Sequence, residues 1–238
     1  MGARLRLGDL SVEVIHKDIQ NVHLTVHPPT GRVRVSAPAQ MSVDTIRVFV
    51  ISKLGWIRRQ QQALRAQARE TRREYLDGES HYVWGKRYLL RVIETDAAPT
   101  VTVSRSRLQL RVRPGADADR RRGVLDGWYR SQLKQAVPPL VARWEPVLGV
   151  RVRRFFVQRM KTKWGSCATG SGSIRLNAEL AKKPPECLEY LVVHEMVHLL
   201  EPTHNARFVA LMDRVMPDWE FYRRLLNALP VRHEEWEH

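Results

Sequence analysis

The first third of the chain alternates between apolar and polar residues. In "SVEVI" (11–15) and "VHLTV" (22–26) every second residue is apolar, with Val22, Leu24 and Val26 on one face. "GRVRVSA" (31–37) answers with Val33 and Val35. Pro28-Pro29-Thr30-Gly31 between them is a turn, so 22–37 reads as a hairpin. The period then changes. Ser42 is placed as an N-cap, and Val43, Ile46, Val50, Leu54, Ile57 and Leu64 recur at helical steps along one face of a single long helix. Its far end, "WIRRQQQALRAQARETRREY", is dense in arginine. Two more hairpins follow, "HYVW-GK-RYLLRVI" and "TVTV" to "LQLRV" across Ser104-Arg105-Ser106-Arg107.

"PGADAD" at 114–119 is the clearest break in the pattern. Beyond it Leu125, Trp128, Tyr129, Leu133, Val137, Leu140 and Trp144 mark a second helix, which Pro138-Pro139 is expected to kink or split. "VRVRRFFVQRM" reads as extended, "KTKWGSCATGSGS" as a polar turn, and "SIRLN" as a short strand. Pro184-Pro185-Glu186 then opens a last helix, with proline in the first turn and a carboxylate at the positive end of the dipole. No internal repeat and no low-complexity tract is visible. The expected fold class is α+β, with a β-hairpin-rich lobe over 10–115 carrying one long helix, and a second lobe over 116–230 carrying the last helix.

That last helix holds chemistry that a buried helix does not ask for. "LVVHEMVHLLEPTH" places His194 and His198 four residues apart, so both imidazoles leave one side of the helix a turn apart and can reach one ion. Glu195 lies beside the first histidine, where its carboxylate can reach a water on that ion. Together they spell the helix-borne zinc signature H-E-x-x-H, with glutamate as general base. Leaving an unpaired glutamate in so apolar a helix is costly without such a task. Glu201-Pro202 ends the helix, and His204 follows six residues after His198 as the expected third ligand. Glu201 is the rival third ligand, since two histidines and a glutamate also make a catalytic set. Three protein ligands leave a fourth position open for water.

Composition changes this picture in two ways. Only Cys167 and Cys187 occur, too few for a disulfide framework, so a reducing, cytoplasmic setting is expected. No segment has the apolar length to span a bilayer, and no membrane partner is expected. The charge is uneven. Residues 174–238 hold 8 basic and 11 acidic side chains, while residues 1–173 hold 32 basic and 14 acidic. Such a field attracts polyanions, so nucleic acid is a candidate partner of residues 1–173; solvated arginines paired with nearby acids, such as Glu70 and Glu74, are the plainer reading.

"MKTKWGSC", "IRLNAEL", "PPECLEYLVVHEMVHLLEPTHNARF" and "MPDW" resemble, in order and spacing, the YgjP-like metallopeptidase family. Upstream, "SAPAQ", "KLGWI" and "WGKRYLLRV" fit it too, so the resemblance runs from about residue 10 to 225. That family is similar to the SprT-like and WLM-type zincins. The resemblance implies a zincin-like core, a zinc cofactor, a peptide or protein substrate, His194, His198 and His204 as ligands, and Glu195 as base. It also implies, through the SprT-like relatives, a task on DNA-bound proteins. Two positions depart from the family pattern: Thr203 stands where asparagine is usual, and Val209 where an aromatic is common. The alternatives to a peptidase are a nucleic-acid-associated protein and a non-catalytic zinc module, for which Cys167 is the candidate fourth ligand. Cys167 also reads as a nucleophile or as a small buried residue. Trp164 and Asn177 are candidate substrate-binding residues, "SIRLN" a candidate edge strand for a peptide, and Arg159, Lys161, Lys163 and Tyr190 candidates for stabilising an oxyanion.

Overall fold

A computed structural model of the protein describes residues 3–27, 31–66, 73–160 and 163–228. It is a mixed α+β structure. Its contacts divide the chain into two compact units, one up to Arg69 and the other from Glu70. The Pro114–Asp119 break is a turn inside the second unit.

The first unit is a four-stranded sheet with two helices. Strands β1 (Ala3–Leu7), β2 (Leu10–Lys17), β3 (His23–His27) and β4 (Arg32–Pro38) lie in the order β1-β2-β4-β3. The hairpin expected over 22–37 is present as antiparallel β3 and β4, its Pro28-Pro29-Thr30 tip lying outside the described residues. Period-two alternation turns Leu5, Val12, Val14, Val33 and Val35 inward, where they are buried with Ile46, Val50 and Ile57. Those three come from α1 (Val43–Ser52) and α2 (Leu54–Ala66), which replace the single long helix expected. At Lys53 the backbone N–H bonds to the Val50 carbonyl three residues back, which tightens the turn and separates the two. Arg58 and Arg59 are exposed on α2, while Arg69 and Arg72 lie outside the described residues.

The second unit repeats the topology of the first. Strands β5 (Ser80–Val83), β6 (Lys86–Glu94), β7 (Thr100–Ser104) and β8 (Arg107–Val112) lie in the order β5-β6-β8-β7. In both sheets the outer pairs are antiparallel and the central pair is parallel. Val33, Val35 and Ala37 of the first sheet correspond to Leu108, Leu110 and Val112 of the second, and all six are buried. The next helix starts at the same interval in each. Ser42 caps α1 by accepting from the Thr45 N–H at 3.2 Å, and Asp117 caps α3 (Ala118–Leu148) by accepting from the Arg120 N–H at 2.8 Å. Helix α3 continues through Pro138 and Pro139 without a break. Proline forfeits its own hydrogen bond there, but Leu125, Tyr129, Leu133 and Val137 before it and Trp144 and Leu148 after it are all buried, so one core holds both halves.

A three-stranded sheet of β9 (Arg154–Gln158), β10 (Gly165–Ala168) and β11 (Ser173–Asn177) and the helices α4 (Pro185–Val197), α5 (Ala206–Val215) and α6 (Trp219–Ala228) complete the unit. The order is β10-β11-β9, so β11, expected at an edge, is central, and β10 is an edge. "GSCA" is short and polar and reads as a turn, which hides it from a pattern search. Among the described residues no helix is long and apolar enough to cross a membrane.

Asp117→Ala removes the cap of the longest helix and is expected to cost about 1 kcal/mol in urea unfolding, with Asp117→Ser close to wild type. An unchanged midpoint for the alanine variant contradicts this account of how α3 starts.

Candidate functional site

Helix α4 is buried on almost every side. Leu188, Leu191, Val192, Val193, Met196 and Val197 are 0–5% exposed, and the helix packs on α3, α5, α6, β10 and β11. It carries His194 and Glu195, and His198 is its C-cap. The chain then tightens, with the Glu201 N–H bonding to the Val197 carbonyl. Asn205 caps α5 by accepting from the Phe208 N–H at 3.0 Å. This fixes both His204, just before the cap, and Phe208, in the first turn. The Phe208 ring is 1% exposed and packs against all three imidazoles, its centroid 5.0 Å from His194, 4.7 Å from His198 and 4.7 Å from His204.

The three histidines converge. One ring nitrogen from each of His194, His198 and His204 lies within 4.8 Å of the others, and Nε2 of His204 is 3.0 Å from Nε2 of His194. His198 Nδ1 donates to the Glu201 carbonyl at 3.0 Å, which fixes its tautomer and leaves Nε2 free as a ligand. Burial, reinforced by the neighbouring histidines and Arg223, pushes the His194 pKa down to about 3. Burial and the charges of His198 and Arg223 lower that of His204 as well. Burial thus holds His194 and His204 toward the neutral form, and the Nδ1 bond of His198 leaves its Nε2 pointing to a ligand role, as metal ligation requires. The Glu201 carboxylate is not part of this group. It accepts from the Thr203 hydroxyl at 3.2 Å, so Thr203 steadies the turn before His204.

Glu195 is 3% exposed, and burial raises its pKa to about 8 against a small opposing pull from Lys163. Its Oε2 has no hydrogen-bond partner among the described residues. The backbone of β10 lies directly on it. A Cβ built at Gly165 would stand 2.4 Å from Glu195 Oε1 and 3.0 Å from Cδ, so only glycine fits. Cys167, two residues on, has its thiol pKa raised to about 11 by burial and by Glu195, the opposite of an activated nucleophile, and it lies outside the histidine cluster.

The other sequence candidates fall into place around this centre. Trp164 is partly buried before Gly165, with the Lys183 ammonium 5.7 Å from its ring centroid. Asn177 is 5% exposed and fully engaged: its side-chain amide donates to the carbonyls of Met160 and Lys163, and its oxygen accepts from the N–H groups of Met160 and Glu179. It anchors the segment that leads to Gly165 and has no group left for a substrate. Tyr190 is buried with its ring 5.7 Å from that of His194, and burial raises its pKa to about 12. Lys163 is exposed beside Glu195, Arg159 is exposed after β9, and Lys161 lies outside the described residues. Sequence reasoning missed Phe208 and Arg223, and reads Gly165, with Trp164, as a shaped wall or a tight turn. Arg223 is exposed on α6 with its guanidinium 5.9 Å from the Trp219 ring centroid, and its charge reaches His194, His204 and Tyr190.

Over residues 20–229 the sequence matches the YgjP-like metallopeptidase domain. The chain belongs to the YgjP-like metallopeptidase family. Its match runs through both units of the fold. The chain is also similar to a solved structure described as the metallopeptidase zymogen of Pyrococcus abyssi abylysin, at 21% identity and a TM-score of 0.36, over 39% of this chain and 94% of that one. No curated protein matches it. A YgjP-like metallopeptidase acts on peptide bonds, and the histidine cluster is where this one can hold its metal.

Gly165→Ala forces the Glu195 carboxylate aside. Because displacements of about 1 Å can cost a hundredfold in rate, peptidase turnover should fall by about that factor while the protein stays folded. Wild-type turnover in a folded Gly165→Ala variant contradicts the close packing of β10 on Glu195.

Proposed function

We propose that this YgjP-like metallopeptidase is zinc-dependent, with His194, His198 and His204 as ligands and Glu195 as general base. The convergence of three imidazoles beside one buried carboxylate carries the reading. The donor set fits the ion: zinc takes imidazole nitrogens at about 2.0–2.1 Å in a tetrahedron, which sets them about 3.4 Å apart. A purely structural zinc takes four protein ligands, and no fourth side chain joins this group among the described residues. When bound, zinc lowers the pKa of a water and polarises a carbonyl.

The chain's own residues supply the rest. Glu195 accepts the proton of the attacking water and returns it to the leaving amine; a carboxyl whose pKa sits near the working pH suits both transfers. Gly165 and the Asn177 anchor hold that carboxylate against β10. The free edge of β10 offers backbone groups to an extended peptide, which brings a substrate carbonyl alongside Glu195. Lys163 and Arg223 flank the centre on the Glu195 and His204 sides, and both favour the negative charge that develops on the carbonyl oxygen.

The purified protein should hold about one zinc per chain by elemental analysis. His194→Ala, His198→Ala and His204→Ala should each remove most of it, and Glu201→Ala should not. Full occupancy after a histidine change sinks the ligand set.

Glu195→Gln should keep zinc and fold and lower turnover of a labelled unfolded protein by roughly two to four orders of magnitude. Cys167→Ser should stay active. The reverse pattern assigns the chemistry to the cysteine.

A further inference from the structure

We infer that the outward face of the first sheet binds the phosphate backbone of double-stranded nucleic acid without reading its sequence. This is independent of the peptidase reading. Because Leu5, Val12, Val33 and Val35 point inward, the register turns Arg4 and Arg6 of β1 and Arg32 and Arg34 of β4 to the other face. Arg4, Arg6 and Arg32 are exposed and form no close ion pair with a carboxylate among the described residues, Arg32 feeling the Glu13 charge only at longer range. The acidic residue on the outward positions of these four strands is Glu13. It sits between Arg4 and Arg34 in the register and is taken up by Arg34 at 3.0 Å. The imbalance extends along this part of the sequence: residues 1–69 hold 11 basic and 4 acidic side chains.

Three features select the partner. Residues two apart in a strand stand about 6.7 Å apart, and β1 and β4, separated by β2, lie about 10 Å apart. The face therefore presents two pairs of guanidinium groups on a firm sheet. Arginines standing about 6.7 Å apart are spaced to meet neighbouring phosphates along one strand, which wind round the axis as well as rising about 3.4 Å per nucleotide. Guanidinium groups bind phosphate in two-pronged fashion. Finally, the outward positions of the four strands carry no phenylalanine, tyrosine or tryptophan. The rings on this face are the imidazoles of His23 and His27 on the edge strand β3, a small platform for splayed single-strand bases, whereas a duplex offers its backbone directly.

The test is fluorescence anisotropy of the full-length protein with two labelled duplexes of about 20 base pairs and unrelated sequence, titrated at several salt concentrations. Both duplexes should bind alike, the matching single strand more weakly, and log affinity should fall linearly with log salt. The triple variant R4Q/R6Q/R32Q should reduce that slope by about 2.7, or about 0.9 per lost phosphate contact. The charge-retaining R4K/R6K/R32K should keep most of it, and peptide turnover should be unchanged in both. No binding near 50 mM salt overturns the inference, as does a slope that the glutamine variant leaves intact or the lysine variant abolishes. Polyglutamate competing as well as duplex also overturns it and assigns the face to an acidic protein.

Discussion

A carboxylate in a protein core is expensive, and the proposed metal site is arranged around keeping one there. Glu195 is 3% exposed on a helix whose neighbours are leucine, valine and methionine. Burial disfavours its charged form, and that same penalty brings its pKa toward neutrality, where it can take and give a proton. The position is held from two sides. Gly165 lays strand backbone against the carboxylate where a larger residue cannot fit, and Asn177 donates its amide hydrogens to carbonyls of the segment leading into that strand. Phe208 closes the floor beneath the three imidazoles and packs against each ring.

The two units show one strand topology serving different ends. Each has a parallel central pair flanked by antiparallel edges and hands over to a capped helix, the cap standing five residues after Ala37 in the first and after Val112 in the second. In the second unit the following helix is long enough to carry the core on which α4 rests. In the first, the helices cover one sheet face and leave the other to arginine.

Much of the site was legible in the sequence because its spacing is local. The interval between His194 and His198 is a property of one helix, and His204 follows within a turn. Hairpins were legible for the same reason, since each is a strand, a turn and a strand. What was not legible is non-local. The parallel pairs β2–β4 and β6–β8 leave no mark in a period-two pattern, so the shared topology stayed hidden behind unlike sequences. β1 was passed over because its two leucines alternate with arginines in too short a run. Gly165 and Arg223 lie about 30 residues before and after the motif they serve, and only the fold brings them to it. Asn177 was read as a substrate residue because a polar side chain ending a strand looks available; its partners are the backbone groups of a loop more than a dozen residues away.

The central claim is that three imidazoles and one open position make this metal centre. X-ray absorption at the zinc edge of the purified protein tests it directly. The account predicts three nitrogen ligands and one further light atom, all at about 2.0–2.1 Å. A sulfur shell at about 2.3 Å would bring Cys167 into the site and contradict it, and four nitrogen ligands with no exchangeable position would make the zinc structural.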